Sequence, residues 1–116
     1  MSPEQLRNIL SRIQSLKIAV IGDFAIDFYF QKTEETGDFS VETRKEVHWA
    51  KTPKTGLGGA GNVAKNLATL GVPTSAFGLI GSDIFGRDMN FHCQNLGIHA
   101  ENLKSLPSMD TPTYSK

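Results

Sequence analysis

The chain has 116 residues, room for one domain at most. Twelve Lys and Arg against twelve Asp and Glu leave no formal net charge, so the charge balance gives no reason to expect nucleic acid or an anionic membrane as a partner. No apolar run approaches the ~18 residues of a membrane span, and a single cysteine, Cys93, excludes an internal disulfide and suits a reducing, cytoplasmic setting.

The N-terminus is amphipathic and lacks the apolar core of a secretory signal. Ser2-Pro3-Glu4-Gln5 reads as a helix start, with Ser2 as N-cap, Pro3 in the first turn and Gln5 completing a capping box. Leu6, Ile9, Leu10 and Ile13 then recur at helical spacing, which predicts a helix that buries one stripe. Ile18-Ala19-Val20-Ile21 is an unbroken apolar run, predicting a strand covered on both faces and closed by a turn at Gly22-Asp23. A second strand is expected over 25–30. Residues 32–57 are polar and broken by Gly37, Pro53 and Gly56, so they read as a flap, with 41–50 as extended, partly exposed strands. Lys45, Lys51 and Lys54 read as a solvated loop face.

Gly56-Leu57-Gly58-Gly59-Ala60-Gly61-Asn62 is the most informative stretch. Clustered glycines let the backbone approach a ligand and adopt positive φ. The helix that follows offers unpaired N–H groups at its start. Ala60, Val63, Ala64, Leu67 and Ala68 form its inner stripe, and Gly71 and Pro73 stop it. A strand is expected at 75–80, closing at Gly81. Asp83 caps the next helix, whose inner stripe is Phe85, Met89, Cys93 and Leu96 and whose end is Gly97. Residues 98–106 return as a strand, and 107–116 are turn-rich, then extended. Strands alternating with helices on short links predict a parallel α/β sheet with right-handed crossovers.

Ligands of such sheets sit outside the carboxyl ends of the strands. Asp23 and Asp27 follow the first strand, and the glycine cradle with Asn62 opens the first inner helix. Carboxylates accept from hydroxyls and an amide both donates and accepts, so this set suits a hydroxyl-rich small molecule. Gly56, Gly58 and Gly61 also spell the dinucleotide fingerprint, with Asp83 downstream, which leaves a nicotinamide dinucleotide-binding domain as one alternative. Its context is wrong, because the preceding residues 50–55 are polar and carry Pro53. No phosphate loop of the G-x-x-x-x-G-K-[ST] type is present. His48, His92 and His99 share no metal-ligand spacing with one another or with Cys93, so no metal site is expected. Cys93 reads as core filler, and Trp49 either stacks on a sugar face or packs within the flap.

These pieces resemble the ribokinase (PfkB) family of carbohydrate kinases. Gly58, Gly59, Ala60, Asn62, Ala64, Gly71 and Gly81 match the family's first signature, and Gly22-Asp23-x-x-x-Asp27 and Gly81-x-Asp83-x-Phe85-Gly86 fit as well. Residues 22–29 and 111–116 look most like the heptose-phosphate kinase part of ADP-heptose synthases, although the usual proline-rich loop is replaced here by residues 40–47. The resemblance implies a three-layer ribokinase-like α/β fold with a small β lid, residues 1–116 being the amino-terminal part of one kinase domain and 28–50 and 109–116 its lid segments. It implies that Asp27 accepts sugar hydroxyls, that Asn62 and the backbone at Gly58 and Gly59 hold the same sugar, and that Asp23, where members vary, borders it. It further implies ATP and Mg²⁺ as cofactors of the intact enzyme, a sugar or sugar-phosphate substrate, and a homodimer through lid strands.

Members of that family are much longer. Their second signature, Asp-Thr-x-Gly-Ala-Gly-Asp, supplies the general base and the phosphoryl site and has no counterpart here. Gly59-Ala60-Gly61-Asn62 imitates it, but an asparagine amide takes no proton from a hydroxyl. No catalytic residue is therefore assigned, and the 116-residue chain alone is expected to be inactive. A non-catalytic sugar-binding or dimerisation module is the remaining alternative. A partial sheet with an uncovered edge and face predicts self-association of the isolated chain.

Overall fold

The computed structural model describes residues 1–33 and 36–116. In chain order its elements are α1 (Pro3–Ile13), β1 (Ile18–Ile21), β2 (Phe24–Tyr29), β3 (Lys54–Gly59), α2 (Ala60–Thr69), β4 (Thr74–Gly81), α3 (Ile84–Asn95), β5 (His99–Leu106) and β6 (Thr113–Ser115). β1, β4 and β5 form a parallel sheet in the order β1-β4-β5, and a second sheet has the order β3-β2-β6. The α/β class with a parallel sheet is the one the alternating pattern predicts.

Local chemistry sets the helix boundaries. The Ser2–Gln5 capping box forms, with Gln5 N–H on Ser2 Oγ at 3.1 Å and Ser2 N–H on Gln5 Oε1 at 2.7 Å. Gly71 (φ 80°) and Gly97 (φ 69°) end α2 and α3 in the left-handed conformation. Val72 N–H then reaches back to Leu67 O and Ile98 N–H to Cys93 O, the six-to-one bond that closes a helix end. One cluster holds the core: Val20, Ala76, Ile80 and Leu103 from the parallel sheet, Ala64 from α2, Met89 and Cys93 from α3, and Phe24, Ile26 and Leu57 from the second sheet. Because Ala64, Met89 and Cys93 meet the same sheet residues, α2 and α3 cover one face of it.

Five expectations are corrected. The α1 stripe is not buried: Leu6 and Ile9 are exposed and the helix has no buried residue, because no described element packs closely against it. β1 is covered on one face only. Val20 is buried, but Ile21 is 79% exposed on the face that also carries half-exposed Leu79, where no helix of the described residues lies. Residues 41–50 form no strand. The flap is held by isolated bridges Lys32↔Ala50 and Phe39↔Glu46, and residues 34 and 35 of the expected 28–50 lid segment lie outside the described residues. Conversely, 54–59 is a strand rather than flap, antiparallel to β2 along its whole length. Val63, placed on the inner stripe of α2, is half exposed; Gly61 and Ala64 face inward instead.

Candidate functional site

The register of the second sheet builds the site. β2 and β3 oppose Ala25 with Gly58, Asp27 with Gly56 and Tyr29 with Lys54, while β6 sets Tyr114 beside Asp27. Side chains alternate along a strand. Ile26 and Phe28 therefore turn to the interior, Phe28 meeting Phe85 of α3 edge-on at 5.9 Å. Ala25, Asp27 and Tyr29 share the other face with Gly56, Gly58 and Lys54.

On that face the Asp27 carboxylate is held in place, its side chain 17% exposed. Oδ2 accepts from Lys116 Nζ at 2.9 Å and from Tyr29 OH at 3.3 Å, and the Lys116 ammonium lies 5.4 Å from the Tyr29 ring centroid. Asp27 beside it holds the Lys116 ammonium above its ordinary pKa. Oδ1 lies over Gly58, where a Cβ would stand only 2.8 Å from it. The bare backbone at Gly58 is thus a steric requirement of the Asp27 position.

The cradle continues into α2. Gly59 takes φ 55°, and a Cβ there would collide with the Asp23 carbonyl. That same carbonyl accepts the Ala60 N–H at 2.9 Å. Asp23 contributes its main chain to the site, and its side chain is exposed. No side chain caps α2 and no acid lies in its first turn, which leaves the end open to an oxygen-bearing ligand. Asn62, in that turn, is exposed, and its side chain makes no hydrogen bond among the described residues. The structure therefore joins Asp27 to Gly58 and Asp23 to Gly59, while no hydrogen bond joins Asn62 to Asp27. Gly56 and Gly58 lie in an antiparallel strand of the smaller sheet, and Gly61 lies in α2. The dinucleotide fingerprint instead occupies the turn after a parallel strand, so that alternative loses its structural context.

Two features escaped the sequence reading. Lys116 and Tyr29 complete the Asp27 cluster; the alternation of Asp27 and Tyr29 was visible in the sequence, but the lysine contact spans 89 positions. The second is the role of Asp83. Besides capping α3 through Gly86 N–H (2.7 Å), it accepts the Thr111 N–H (2.7 Å) and hydroxyl (2.8 Å), and Thr111 Oγ1 in turn accepts Gly81 N–H (2.9 Å). The Thr111 N–H, above all, holds the Asp83 carboxyl below the usual carboxylate range. This clamp fixes the segment that pairs as β6 and carries Lys116 to Asp27. Elsewhere, His92 Nε2 lies 2.9 Å from Thr55 Oγ1, which ties β3 to α3, and Trp49 donates its indole N–H to Asp38 within the flap. Cys93 is fully buried, as core filler.

The pattern of the pfkB family carbohydrate kinases matches residues 15–115. The bifunctional protein HldE of Shewanella sp. (strain MR-4) is 34% identical over 107 residues, covering 92% of this chain and 21% of that protein. The chain thus spans about a fifth of the length of this curated relative. A carbohydrate kinase from Agrobacterium tumefaciens has the same fold over 85% of this chain and 30% of its own, with a TM-score of 0.65 at 22% identity. Aminoimidazole riboside kinase from Salmonella enterica, solved with aminoimidazole riboside and an ATP analog, matches over 86% and 28% with a TM-score of 0.63 at 22% identity.

Proposed function

Because this chain belongs to the pfkB family of carbohydrate kinases, we propose that it is the substrate-gripping, amino-terminal portion of an ATP- and Mg²⁺-dependent kinase acting on a hydroxyl of a sugar or sugar phosphate. The likeness of residues 22–29 and 111–116 to heptose-phosphate kinases, together with the identity to HldE, favours a heptose phosphate. The observation that carries the reading is the Asp27 carboxylate, seated over Gly58 beside the open start of α2. It accepts sugar hydroxyls, while Asn62 and the backbone at Gly58 and Gly59 hold other edges of the ring and Asp23 lines its border.

Phosphoryl transfer depends on positioning, electrostatic stabilisation and exclusion of water. The second sheet and the flap serve the first and the last of these. Among the described residues no three His, Cys, Asp or Glu side chains are placed to hold a metal ion, and Asp27 is already paired with Lys116. The residues present do not fit Mg²⁺. We assign the metal, the nucleotide and the general base to other parts of the enzyme and expect this chain alone to be inactive, because the family's second signature has no counterpart in its sequence. Its setting is cytoplasmic.

Asp27→Ala in the complete enzyme removes a charge-assisted hydrogen bond, about 1.5–3 kcal/mol, or roughly 10- to 150-fold in kcat/KM. Kinetics unchanged from wild type on every accepted sugar would remove Asp27 from the site. Among the described residues no strand pairs with the outer edges of β3 and β6, which favours a homodimer joined through lid strands. Sedimentation of a purely monomeric enzyme would refute that pairing.

A further inference from the structure

We propose that His92 is a positioning residue for the sugar: through Thr55 it holds β3 on α3 at the level of Asp27 and Gly56, a role that rests on Asp27 and Gly58 gripping the sugar. Burial along the ribbon of β2 and β3 runs out where the site begins. Phe24, Ala25 and Ile26 on β2 and Leu57 and Gly58 on β3 are buried, Asp27, Phe28, Thr55 and Gly56 are half-buried, and Tyr29 and Lys54 are exposed. The core roots one end of the ribbon, and the carboxylate that meets the substrate stands toward the end that projects. A strand pair that runs beyond its packing opens locally at low free-energy cost.

Two side chains of α3 meet the ribbon at that level. Phe28 and Thr55 are cross-strand partners, one step along from the Asp27–Gly56 pair, and both turn to the inner face. Phe85 meets Phe28 edge-on at 5.9 Å, and His92, two turns further along the same side of the helix, places Nε2 2.9 Å from Thr55 Oγ1. The aromatic contact is non-directional and tolerates sliding, whereas a hydrogen bond has a fixed length and direction. Asp88, one turn back, sets the ring. Its Oδ2 is buried, has no hydrogen bond of its own among the described residues, and lies 3.5 Å from the same Nε2. A carboxylate there favours the proton on Nε2, so the ring donates and Thr55 accepts. The Asp27–Gly56 pair is therefore held from both sides, by the core at Ile26 and Leu57 and by α3 at Phe28 and Thr55.

The test uses the complete enzyme with ATP, Mg²⁺ and a panel of mannose, fructose, their 6-phosphates and sedoheptulose 7-phosphate. Amide hydrogen exchange of the ligand-free enzyme is followed in parallel by mass spectrometry. Thr55→Val removes the hydroxyl and keeps the shape. It should raise KM for the accepted sugar, and speed exchange over residues 54–58, by about three- to tenfold each, the worth of one hydrogen bond. KM for ATP should stay within about twofold, with little change in melting temperature. His92→Leu should do the same, while Thr55→Ser and His92→Gln, which keep a polar partner, should retain the wild-type KM. Thr55→Val/His92→Leu should be no worse than either single variant. The two positions are independent routes to the same loss, so misfolding of one variant leaves the other to decide. An unchanged sugar KM, whatever the exchange rate or melting temperature, makes the bond merely structural and overturns the positioning role. Additive losses in the double variant overturn it as well, because His92 would then not act through Thr55. Phosphorylation of none of the panel by wild type overturns the sugar reading, and the positioning role with it, even where exchange responds as expected.

Discussion

Replacing Asp83 with alanine separates a clamp from a simple helix cap. Three short hydrogen bonds end on this carboxylate, from Gly86 N–H, Thr111 N–H and Thr111 OH. An N-cap alone is worth about 0.5–2 kcal/mol, and a hydrogen bond to a charged group about 1.5–3 kcal/mol. The three share one carboxylate and Asp83 is partly exposed, so the sum is discounted to about 2–4 kcal/mol. Thr111, only 4% exposed, would keep a buried N–H without its acceptor, which places the loss toward the upper half of that range. Urea unfolding followed by far-UV circular dichroism reads the loss, and with a slope of about 2 kcal/mol per molar the midpoint falls by about 1–2 M. Asp83→Asn keeps one acceptor oxygen but sets an amide NH₂ in place of the other, so it should fall between alanine and wild type. A midpoint for Asp83→Ala within about 0.2 M of wild type would refute the clamp and return Asp83 to the role of an ordinary cap.

The same carboxylate makes stability pH-dependent. Its folded pKa lies below the unfolded value, so its contribution is complete above the unfolded carboxylate pKa of about 3.9 and is lost as pH falls through the folded value. Asp83→Ala should therefore destabilise far less at pH 2 than at pH 7, and parallel melting curves at the two pH values would contradict this. Gly58→Ala introduces no positive-φ strain but puts a methyl 2.8 Å from Asp27 Oδ1. Sugar kcat/KM in the complete enzyme should drop by roughly tenfold or more, while the melting temperature changes little. The reverse pattern would show that the contact matters only for folding. Burial pushes the Cys93 thiol up to about 11, so it is protonated and enclosed at pH 8. A chromogenic disulfide reagent should label it only after unfolding, and rapid labelling of the native chain would place it outside the core.

What the sequence made legible was carried by short-range rules. The capping box at Ser2 and Gln5, the Asp83 cap and the glycine ends at Gly71 and Gly97 depend on neighbours within a helical turn, and each formed as read. The inner stripe of Met89 and Cys93 followed from periodicity alone. β3 was missed because Gly56, Gly58 and Gly59 carry no strand preference; pairing with β2 makes that segment extended. α1 shows the limit of amphipathicity, which reveals a face that can be covered but not the surface that covers it. Of the site, Asp27 and its glycine floor were legible from spacing. Lys116 was not, since a salt bridge between positions 27 and 116 leaves no local trace.

The pairing of β2 with β6 has a consequence for biosynthesis. On a ribosome, residues 24–29 emerge early and gain β3 some thirty positions later, yet one edge waits until 113–115 have cleared the exit tunnel. Through that interval a half-zipped hairpin with buried-to-be Phe24 and Ile26 is held in solution, the kind of nascent intermediate that chaperones intercept. The carboxylate of Asp27 acquires its cation only when Lys116 follows β6, so this ion pair is a property of the finished ribbon and of no shorter nascent length.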